Sequence, residues 1–257
     1  MMFQTGKWDP PASKTVCPMR VSLTSWAPRL PDLPLVLLTL IQQTVRPKEI
    51  IVWLTENDKR LLSPEVEQLF SPYGVKFSIC DDLKSHKKWL PMIEEQSSEP
   101  FVICDDDIIY PRRWLANLVG EDRRDAFVGV RAHQVTFTAD DKVESYSKWR
   151  KQIGSCKRPS ESTFITGGAG AIIHPDRVLK EFCDRTSILR QCPTADDVWI
   201  NVMHWASGYK CYKTKYSYPC LTLPSASRSA LELHNVDGGA NDVQISACST
   251  HFERSQR

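Results

Sequence analysis

The feature that most constrains the fold is a regular alternation of short apolar strands and helices in the first half of the chain. Strands that alternate with helices favour a mostly parallel sheet with helices on both faces. In such sheets, ligands bind beyond the carboxyl ends of the strands. The sequence therefore predicts an α/β fold and directs attention to the residues after each strand. The predicted strands are 19–25, 49–55, 75–80 and 101–104, and the predicted helices are 35–43, 63–70 and 84–96, with another beginning at Pro111.

The second half is less regular. Residues 126–138 form a β-like run, and the polar segment 139–162 is predicted as a loop that could close over a substrate. The stretch 164–173 contains two apolar runs around several glycines, which predicts a turn. Thr194 and Asp197 have the spacing of a capping box and predict a helix over 194–208. In the first half, Pro91 allows a kink in its helix.

The charge balance bears on the partners that the chain can have. The 257 residues include 33 Lys and Arg and 31 Asp and Glu, for a net charge of +2. A protein that binds nucleic acid usually carries a broad basic surface, so we predict no nucleic acid partner. A chain of this length can bury a large core. One domain over 19–257 is expected, preceded by a flexible arm over 1–18.

The nine cysteines form no CxxC motif and no zinc-like spacing with histidine. Several lie in apolar runs, where free thiols pack as small hydrophobic groups. Free thiols indicate a reducing compartment, and we recognise no secretion signal near the N-terminus. The longest apolar stretch, 33–41, is too short for a membrane span. These features predict a cytoplasmic protein.

Three consecutive carboxylates, Asp105, Asp106 and Asp107, directly follow the fourth predicted strand. Adjacent carboxylates repel one another, and a bound cation relieves the repulsion. In an extended segment, Asp105 and Asp107 would point to one side and Asp106 to the other. Two carboxylates together with diphosphate oxygens suit Mg²⁺ or Mn²⁺. A solvated acidic turn is the alternative, but the position after a buried strand favours a metal site.

Five motifs, in order, give the chain a resemblance to a known family. They are RVSLTSWAPRLPDLPLVLLTLIQQTVRPKEIIVWLT, CDDDIIYP, FITGGAGAIIHP, ADDVWINV and NVDGGANDVQ, and together they cover roughly residues 19–245. In this order they resemble glycosyltransferases of the GT-A fold, particularly the family 2-like enzymes of bacterial surface-polysaccharide synthesis. The resemblance implies a Rossmann-like nucleotide-binding half over 19–125 and an acceptor-binding half over 126–257. It also implies a mixed central sheet with helices on both faces.

The resemblance further implies a nucleotide-sugar donor, with a UDP-sugar favoured, held through Mn²⁺ or Mg²⁺ at the DxD motif. Asp107 is the favoured direct metal ligand, and Asp105 would contact the ribose or a water of the metal. His234 could add a late histidine ligand, although an ordinary surface or core histidine is the favoured alternative. The other donor-site residues implied by the family pattern are Thr24, Ser25, Asp58, Asp82, Asp106 and either Lys87 or Lys88.

An inverting transfer needs a carboxylate that removes the proton of the acceptor hydroxyl. The resemblance places this base in the acidic pair near the start of the predicted helix over 194–208. Asp197 is favoured, and Asp196 is the second choice. The alternative is structural, because acidic residues in the first turn of a helix stabilise its dipole by about 0.3–1 kcal/mol.

The predicted function is a metal-dependent glycosyltransferase with a glycan or lipid-linked acceptor, acting with inversion. Two alternatives stay open. A nucleotidyltransferase that makes activated sugars would carry a glycine- and Arg/Lys-rich signature after the first strand, which VSLTSWAPRL lacks. A non-catalytic sugar- or nucleotide-binding domain is disfavoured because both acidic motifs are present. Acceptors of this family are often close to membranes, so a peripheral position on the inner membrane face is compatible with the cytoplasmic prediction. Basic clusters at 112–113 and 148–151 could touch an anionic surface, although solvated faces are favoured.

Overall fold

In a computed structural model of the protein, residues 15–140, 142–223 and 239–248 are described. His234 and most of the predicted N-terminal arm lie outside this part of the chain. The strands are β1 (Val16–Cys17), β2 (Arg20–Thr24), β3 (Arg46–Pro47), β4 (Ile50–Leu54), β5 (Val75–Ile79), β6 (Phe101–Ile103), β7 (Ile108–Ile109), β8 (Ala126–Gln134), β9 (Thr163–Ile173), β10 (Lys210–Lys213) and β11 (Leu221–Thr222). The α-helices are α1 (Leu33–Ile41), α2 (Glu56–Leu61), α3 (Pro64–Phe70), α4 (Leu90–Glu94), α5 (Trp114–Val119), α6 (Arg185–Gln191), α7 (Asp196–Ala206) and α8 (Ala240–Ala247).

A seven-stranded sheet with the order β10-β8-β9-β6-β2-β4-β5 forms the centre of the structure. β6, β2, β4 and β5 are parallel to their neighbours in this group, and β10 is parallel to β8. β9 is antiparallel to both β6 and β8. The sheet is therefore mixed, and the predicted α/β fold with a mixed central sheet is confirmed.

Both faces of the sheet are covered, which explains why its strands are apolar at successive positions. In β4, Ile51 and Trp53 pack into one core, together with residues of α4, α6 and α7. The alternate residues Ile50, Val52 and Leu54 pack into a second core, with α1, α3 and α5. The period of two along each strand assigns neighbouring side chains to opposite layers.

The glycine-rich stretch that predicted a turn is instead the middle of β9, so this prediction is wrong. All eleven residues of Thr163–Ile173 are buried in one continuous strand. The glycines are needed for close approach rather than for a reversal of the chain. A Cβ at Gly170, where φ is +113°, would lie 2.6 Å from the indole Nε1 of Trp114.

Two helices differ in the structure from those that the sequence predicted. The helix predicted over 84–96 is a 3₁₀ segment, Lys84–Lys88, followed by α4, in which Pro91 lies in the first turn and causes no kink. The predicted capping box at Thr194 is also wrong, because α7 is preceded by Ala195 without a side-chain cap. The Thr194 hydroxyl accepts instead from Gln244 Nε2 at 3.0 Å, and so it joins the start of α7 to α8.

The cysteines and the lengths of the helices can be compared with what the composition predicted. All nine cysteines are free, and Cys104 is fully buried below the acidic triplet, whereas Cys80 is only partly buried. Within the described ranges, none of the helices combines the length and apolar composition needed to cross a bilayer.

Candidate active site

The acidic triplet occupies the point where β6 leaves the sheet. β6 ends at Ile103, between β2 and β9, and the chain turns at Asp106 and Asp107 before β7 begins. The buried Tyr110 hydroxyl fixes this turn, since it accepts from the backbone N–H of Asp105 at 2.9 Å and donates to the carbonyl of Gly168 at 2.7 Å. The triplet is therefore held at the carboxyl edge of the sheet, against β9.

Two cations lie directly on the triplet. Arg29 follows β2, and its Nη1 is 2.6 Å from Asp106 Oδ1 and 2.8 Å from Asp107 Oδ2. Lys88 Nζ donates to Asp105 Oδ1 at 2.7 Å. The prediction that Asp106 points away from Asp105 and Asp107 does not hold, because the segment is a turn rather than an extended strand and Arg29 contacts both Asp106 and Asp107.

Lys88 also joins the triplet to the acidic pair at the start of α7. Its Nζ lies 2.8 Å from Asp196 Oδ2, and the side chains of both residues are less than a tenth exposed. Lys88, rather than Lys87, therefore reaches the triplet. Asp196 is buried and held in this bridge, whereas its neighbour Asp197 is partly exposed and lies outside it.

The glycines of β9 bring the two acidic groups close together. The backbone N–H of Gly167 donates to Asp197 Oδ1 at 2.8 Å. At the next residue, a Cβ on Gly168 would lie 2.9 Å from Asp105 Cγ, and closer still to its Oδ2. Side chains at these positions would occupy the space of the carboxylates, so the glycines let both groups lie against one strand.

Burial and mutual repulsion raise the proton affinity of two of the carboxylates. Burial, followed by repulsion from Asp196, raises the pKa of Asp197 to about 7, although Lys88 opposes the shift. Burial and the neighbouring charge of Asp105 likewise raise the pKa of Asp107 to about 7. Burial is also the largest influence on Asp105, but Lys88, Arg29 and Arg131 together outweigh it, so the pKa of Asp105 is lowered. Asp197 can therefore exchange a proton near neutral pH.

Arg131 supplies a third cation to the same cluster. It projects from β8, its Nε donates to Thr166 Oγ1 at 2.7 Å, and its charge acts on both Asp105 and Asp197. The five carboxylates of the triplet and the α7 pair thus face three cations, which leaves a formal excess of two negative charges. Sequence reasoning missed Arg29 and Arg131. Only Arg131 carried a signal, as a single charge within the apolar run VGVRAHQV.

The remaining predicted donor-site residues surround the Arg29 loop. Thr24 Oγ1 donates to the carbonyl of Trp53 at 2.9 Å, and the next residue, Ser25, is buried. Burial raises the pKa of Asp106. Asp58 accepts from the backbone N–H of Ala27 at 2.8 Å. These residues shape the loop between β2 and α1, which brings Arg29 to the triplet.

Lys87 and Asp82 lie farther from the triplet. Lys87 Nζ is 3.9 Å from Asp58 Oδ2, the residue that binds the same loop. Asp82 is exposed, forms an ion pair with Lys84 and lines a cavity after β5. The structure therefore does not bring Asp82 to the triplet.

This cavity, which we call the β4–β5 cavity, has a volume of about 750 Å³ and opens beside the carboxyl ends of β4 and β5. Its size falls in the range of small-molecule sites. A chain of contacts joins the cavity to the triplet. Asn57 lies in the cavity wall, the next residue Asp58 binds the backbone of Ala27, and Arg29 in the same segment contacts Asp106. Its lining residues are Trp53, Thr55, Glu56, Asn57, Ile79, Cys80, Asp81, Asp82, Pro91, Glu94, Glu95 and Arg185.

The donor set at the triplet fits a hard divalent cation. Within the described residues, no three side chains of His, Cys, Asp or Glu are grouped as a complete metal site. Mg²⁺ does not require such a group, because it is usually held by one or two carboxylates together with substrate phosphates and waters. Asp105 and Asp107 would supply these carboxylates, and with all five carboxylates ionised the formal excess of two negative charges matches a divalent ion. His234 lies outside the described residues.

Comparison with known proteins gives a fold-level likeness only. No family model matches the chain, and no curated protein matches it. Among solved structures, a crystal structure of 4-diphosphocytidyl-2C-methyl-D-erythritol synthase matches with a TM-score of 0.46 and 11% identity, over 82% of this chain and 96% of that chain. The synthase of the same name from Anaerococcus prevotii matches with a TM-score of 0.41 and 10% identity, over 69% of this chain and 82% of that chain. At these TM-scores the likeness supports no activity, and the α/β fold is established by the sheet itself.

Proposed function

We propose that the protein is a glycosyltransferase that moves a sugar from a nucleotide-sugar donor to an acceptor hydroxyl, with inversion at the anomeric carbon. The observation that carries this proposal is the meeting of two acidic groups on β9. Asp197 accepts from Gly167, and Asp105 abuts Gly168. A carboxylate with a pKa of about 7 thus stands beside a cation-bearing acidic turn that suits a diphosphate.

Asp197 acts as the general base in this proposal. It takes the proton of the acceptor hydroxyl while that oxygen bonds to the anomeric carbon. The bond from the anomeric carbon to the donor phosphate oxygen breaks, and the nucleoside diphosphate leaves with the electron pair. A base with a pKa near neutrality combines a useful deprotonated fraction with a useful proton affinity. Asp196 orients Lys88 and does not itself meet the acceptor.

The leaving diphosphate needs positive charge. Lys88 and Arg29 carry such charge at the triplet. Asp105 and Asp107 would hold a divalent metal, Mn²⁺ or Mg²⁺, which would supply Lewis-acid stabilisation of the diphosphate charge. The charges of Asp105 and Asp197 both act on Arg131, and the positive charge of Arg131 in turn favours the ionised form of Asp105.

The donor nucleoside would occupy the β4–β5 cavity, with the UDP-sugar class as first choice. Asn57 and Asp82 line this cavity, and Asp58 and Lys87 connect it to the Arg29 loop. The acceptor, a glycan or lipid-linked glycan, would approach Asp197 from the other side of β9. The donor half over 19–125 and the acceptor half over 126–257 are part of this proposal, and both contribute strands to one sheet.

A nucleotidyltransferase is the second candidate. Arg29 favours it, because a cation in the loop after the first strand of the sheet could hold the pyrophosphate of a nucleoside triphosphate. The absence of glycine from the Ala27–Arg29 loop speaks for the glycosyltransferase.

A two-arm assay separates the candidates. The first arm offers nucleoside diphosphate sugars with Mn²⁺ and measures release of nucleoside diphosphate. The second arm offers nucleoside triphosphates with sugar phosphates and measures pyrophosphate. We expect release in the first arm only, with loss in Asp197→Asn and no change in Asp176→Asn, an exposed carboxylate at the opposite edge of the sheet. Pyrophosphate release that survives Asp197→Asn would establish the second candidate instead.

A further inference from the structure

A second cavity lies beyond the active centre, at the outer end of the β8–β9 pair. It has a volume of about 410 Å³, and we call it the basic cavity. Positive and hydroxyl-bearing side chains line it, and no carboxylate is among them. The lining residues are Gln134, Arg150, Ile153, Gly154, Ser155, Cys156, Lys157, Arg158, Ser160 and Thr163.

Among the residues that the structure describes, the three cations of this cavity have no counter-ion. In the described part of the chain, the side chains of Arg150, Lys157 and Arg158 form no ion pair, and all three residues are exposed. The neighbouring Lys148 is different, because it pairs with Glu144. Unpaired cations that converge on one concavity repel one another, and a bound anion relieves that repulsion.

The walls of the basic cavity are tied to the sheet. The backbone N–H of Cys156 donates to the carbonyl of Lys213 at 3.2 Å, and that of Ser160 donates to the carbonyl of Cys211 at 2.9 Å. Lys157 and Arg158 lie between these two anchors. On the other wall, the backbone of Arg150 pairs with Gln134 at the end of β8. The positive side chains are thus presented from a fixed frame.

The register of β8 and β9 relates this cavity to the active centre. Gln134 pairs with Thr163 at the cavity, and Arg131 pairs with Thr166 next to the residue that binds Asp197. Three residues separate Gln134 from Arg131 along β8, and four separate Thr163 from Gly167 along β9. At about 3.3–3.4 Å per residue, the separation is about 10–13 Å.

We infer that the basic cavity binds an anionic group of the acceptor, such as a phosphate, sulfate or carboxylate, about 10–13 Å from the hydroxyl that receives the sugar. The identification of the bound molecule as the acceptor rests on the proposed function. The metal-free active centre has a formal excess of two negative charges, which a bound divalent ion would neutralise, whereas the basic cavity carries three cations without an ion pair among the described residues. A molecule that is anionic at one end and neutral at its reactive hydroxyl is therefore oriented with the hydroxyl towards Asp197.

The first experiment measures binding without turnover. Inorganic phosphate is titrated into ¹⁵N-labelled protein in metal-free buffer, and backbone amide shifts are followed. We expect saturable shifts in residues 155–160, and an affinity at least about tenfold weaker in the double variant Lys157→Ala/Arg158→Ala. The control Lys48→Ala/Lys76→Ala removes the same charge near β4 and β5 and leaves the affinity unchanged. Absence of shifts at 155–160, or equal affinity in both double variants, overturns the inference.

The second experiment tests the acceptor. Once a donor is known, pairs of acceptors that differ only in one phosphate are compared. The phosphorylated member should have the lower KM, the advantage should fall with salt, and Lys157→Ala/Arg158→Ala should remove it without changing kcat for the neutral member. Equal KM values for the two acceptors overturn the assignment.

Two further results separate this inference from the proposed function and from binding to a membrane surface. If phosphate binds at 155–160 but no nucleotide sugar is turned over, the proposed function fails while the anion site stands. If phosphatidylglycerol vesicles bind through Lys157 and Arg158 and soluble phosphates do not, the anion belongs to a membrane surface and the acceptor assignment is overturned.

Discussion

Gly168→Ala is the substitution that tests the geometry of the site most directly. The new Cβ would lie 2.9 Å from Asp105 Cγ and closer still to Oδ2. Carbon atoms prefer a separation of about 3.5–4.0 Å, so the carboxyl group must shift by about 1 Å. The backbone itself is not strained, because φ at Gly168 is not positive. A shift of this size disturbs the contact of Asp105 with Lys88, whose Nζ lies 2.7 Å from Asp105 Oδ1.

The magnitude follows from that ion pair. A hydrogen bond to a charged group contributes about 1.5–3 kcal/mol, and in a protein of this size 1 kcal/mol changes Tm by about 2–4 °C. We therefore expect Tm to fall by about 3–12 °C. A misplacement of about 1 Å in a catalytic constellation can lower the rate by about 10²-fold, so kcat for nucleotide-sugar turnover should fall by that order.

Differential scanning fluorimetry and the nucleoside diphosphate release assay measure the two effects. Gly154→Ala is the matched control, since a Cβ there would have nothing within 4 Å. The control should keep the wild-type Tm, and only its Tm is compared, because Gly154 lines the basic cavity. If Gly168→Ala keeps both the wild-type Tm and the wild-type turnover, the contact between β9 and Asp105 has no part in stability or catalysis, and the reasoning is refuted.

Three more expectations follow from the charges. The rate of transfer should rise with pH through about 7, because Asp197 must be deprotonated to act as a base, and Asp197→Asn should lower kcat by about 10²–10⁴-fold, as pH-rate profiles would show. The raised pKa values of Asp107 and Asp197 mean that the folded state binds protons more strongly than the unfolded state, so the free energy of unfolding falls as pH rises towards about 7. Asp107→Asn should therefore raise Tm at pH 8, and an unchanged or lower Tm would contradict this. Lys88→Met leaves Asp105 and Asp196 without their shared cation, and urea unfolding should show a loss of about 3–5 kcal/mol; a loss below about 1 kcal/mol would mean that the bridge is solvated.

The sequence predicted those parts of the fold that depend on local patterns. The alternation of strands and helices up to β6 and the acidic residues after it are local features, and both were found in the structure. The glycines of 164–173 were misinterpreted as a turn, because their purpose is the approach of Trp114 and Asp105, which are distant in sequence. A glycine required by long-range packing cannot be distinguished from a turn glycine by composition.

The ion-pair partners of the acidic triplet could not be predicted from the sequence either. Arg29 lies 77 residues from Asp106, and nothing in the local pattern indicates that they meet. Lys88 was named together with Lys87, but only the 3₁₀ geometry of Lys84–Lys88 decides which ammonium group points to the triplet. Partner choice across such sequence separations depends on the whole sheet.

The antiparallel position of β9 has a consequence for how the chain reaches its folded state. β6 pairs with β2 from the same half of the chain, but its other edge is covered only by residues 171–173, some seventy residues later. Until β9 has been synthesised and docked, the fully buried residues of Phe101–Ile103 form an open, apolar sheet edge. A fragment that stops at residue 125 should therefore aggregate through β6, and the two acidic groups of the site are joined only when the last long strand closes the sheet.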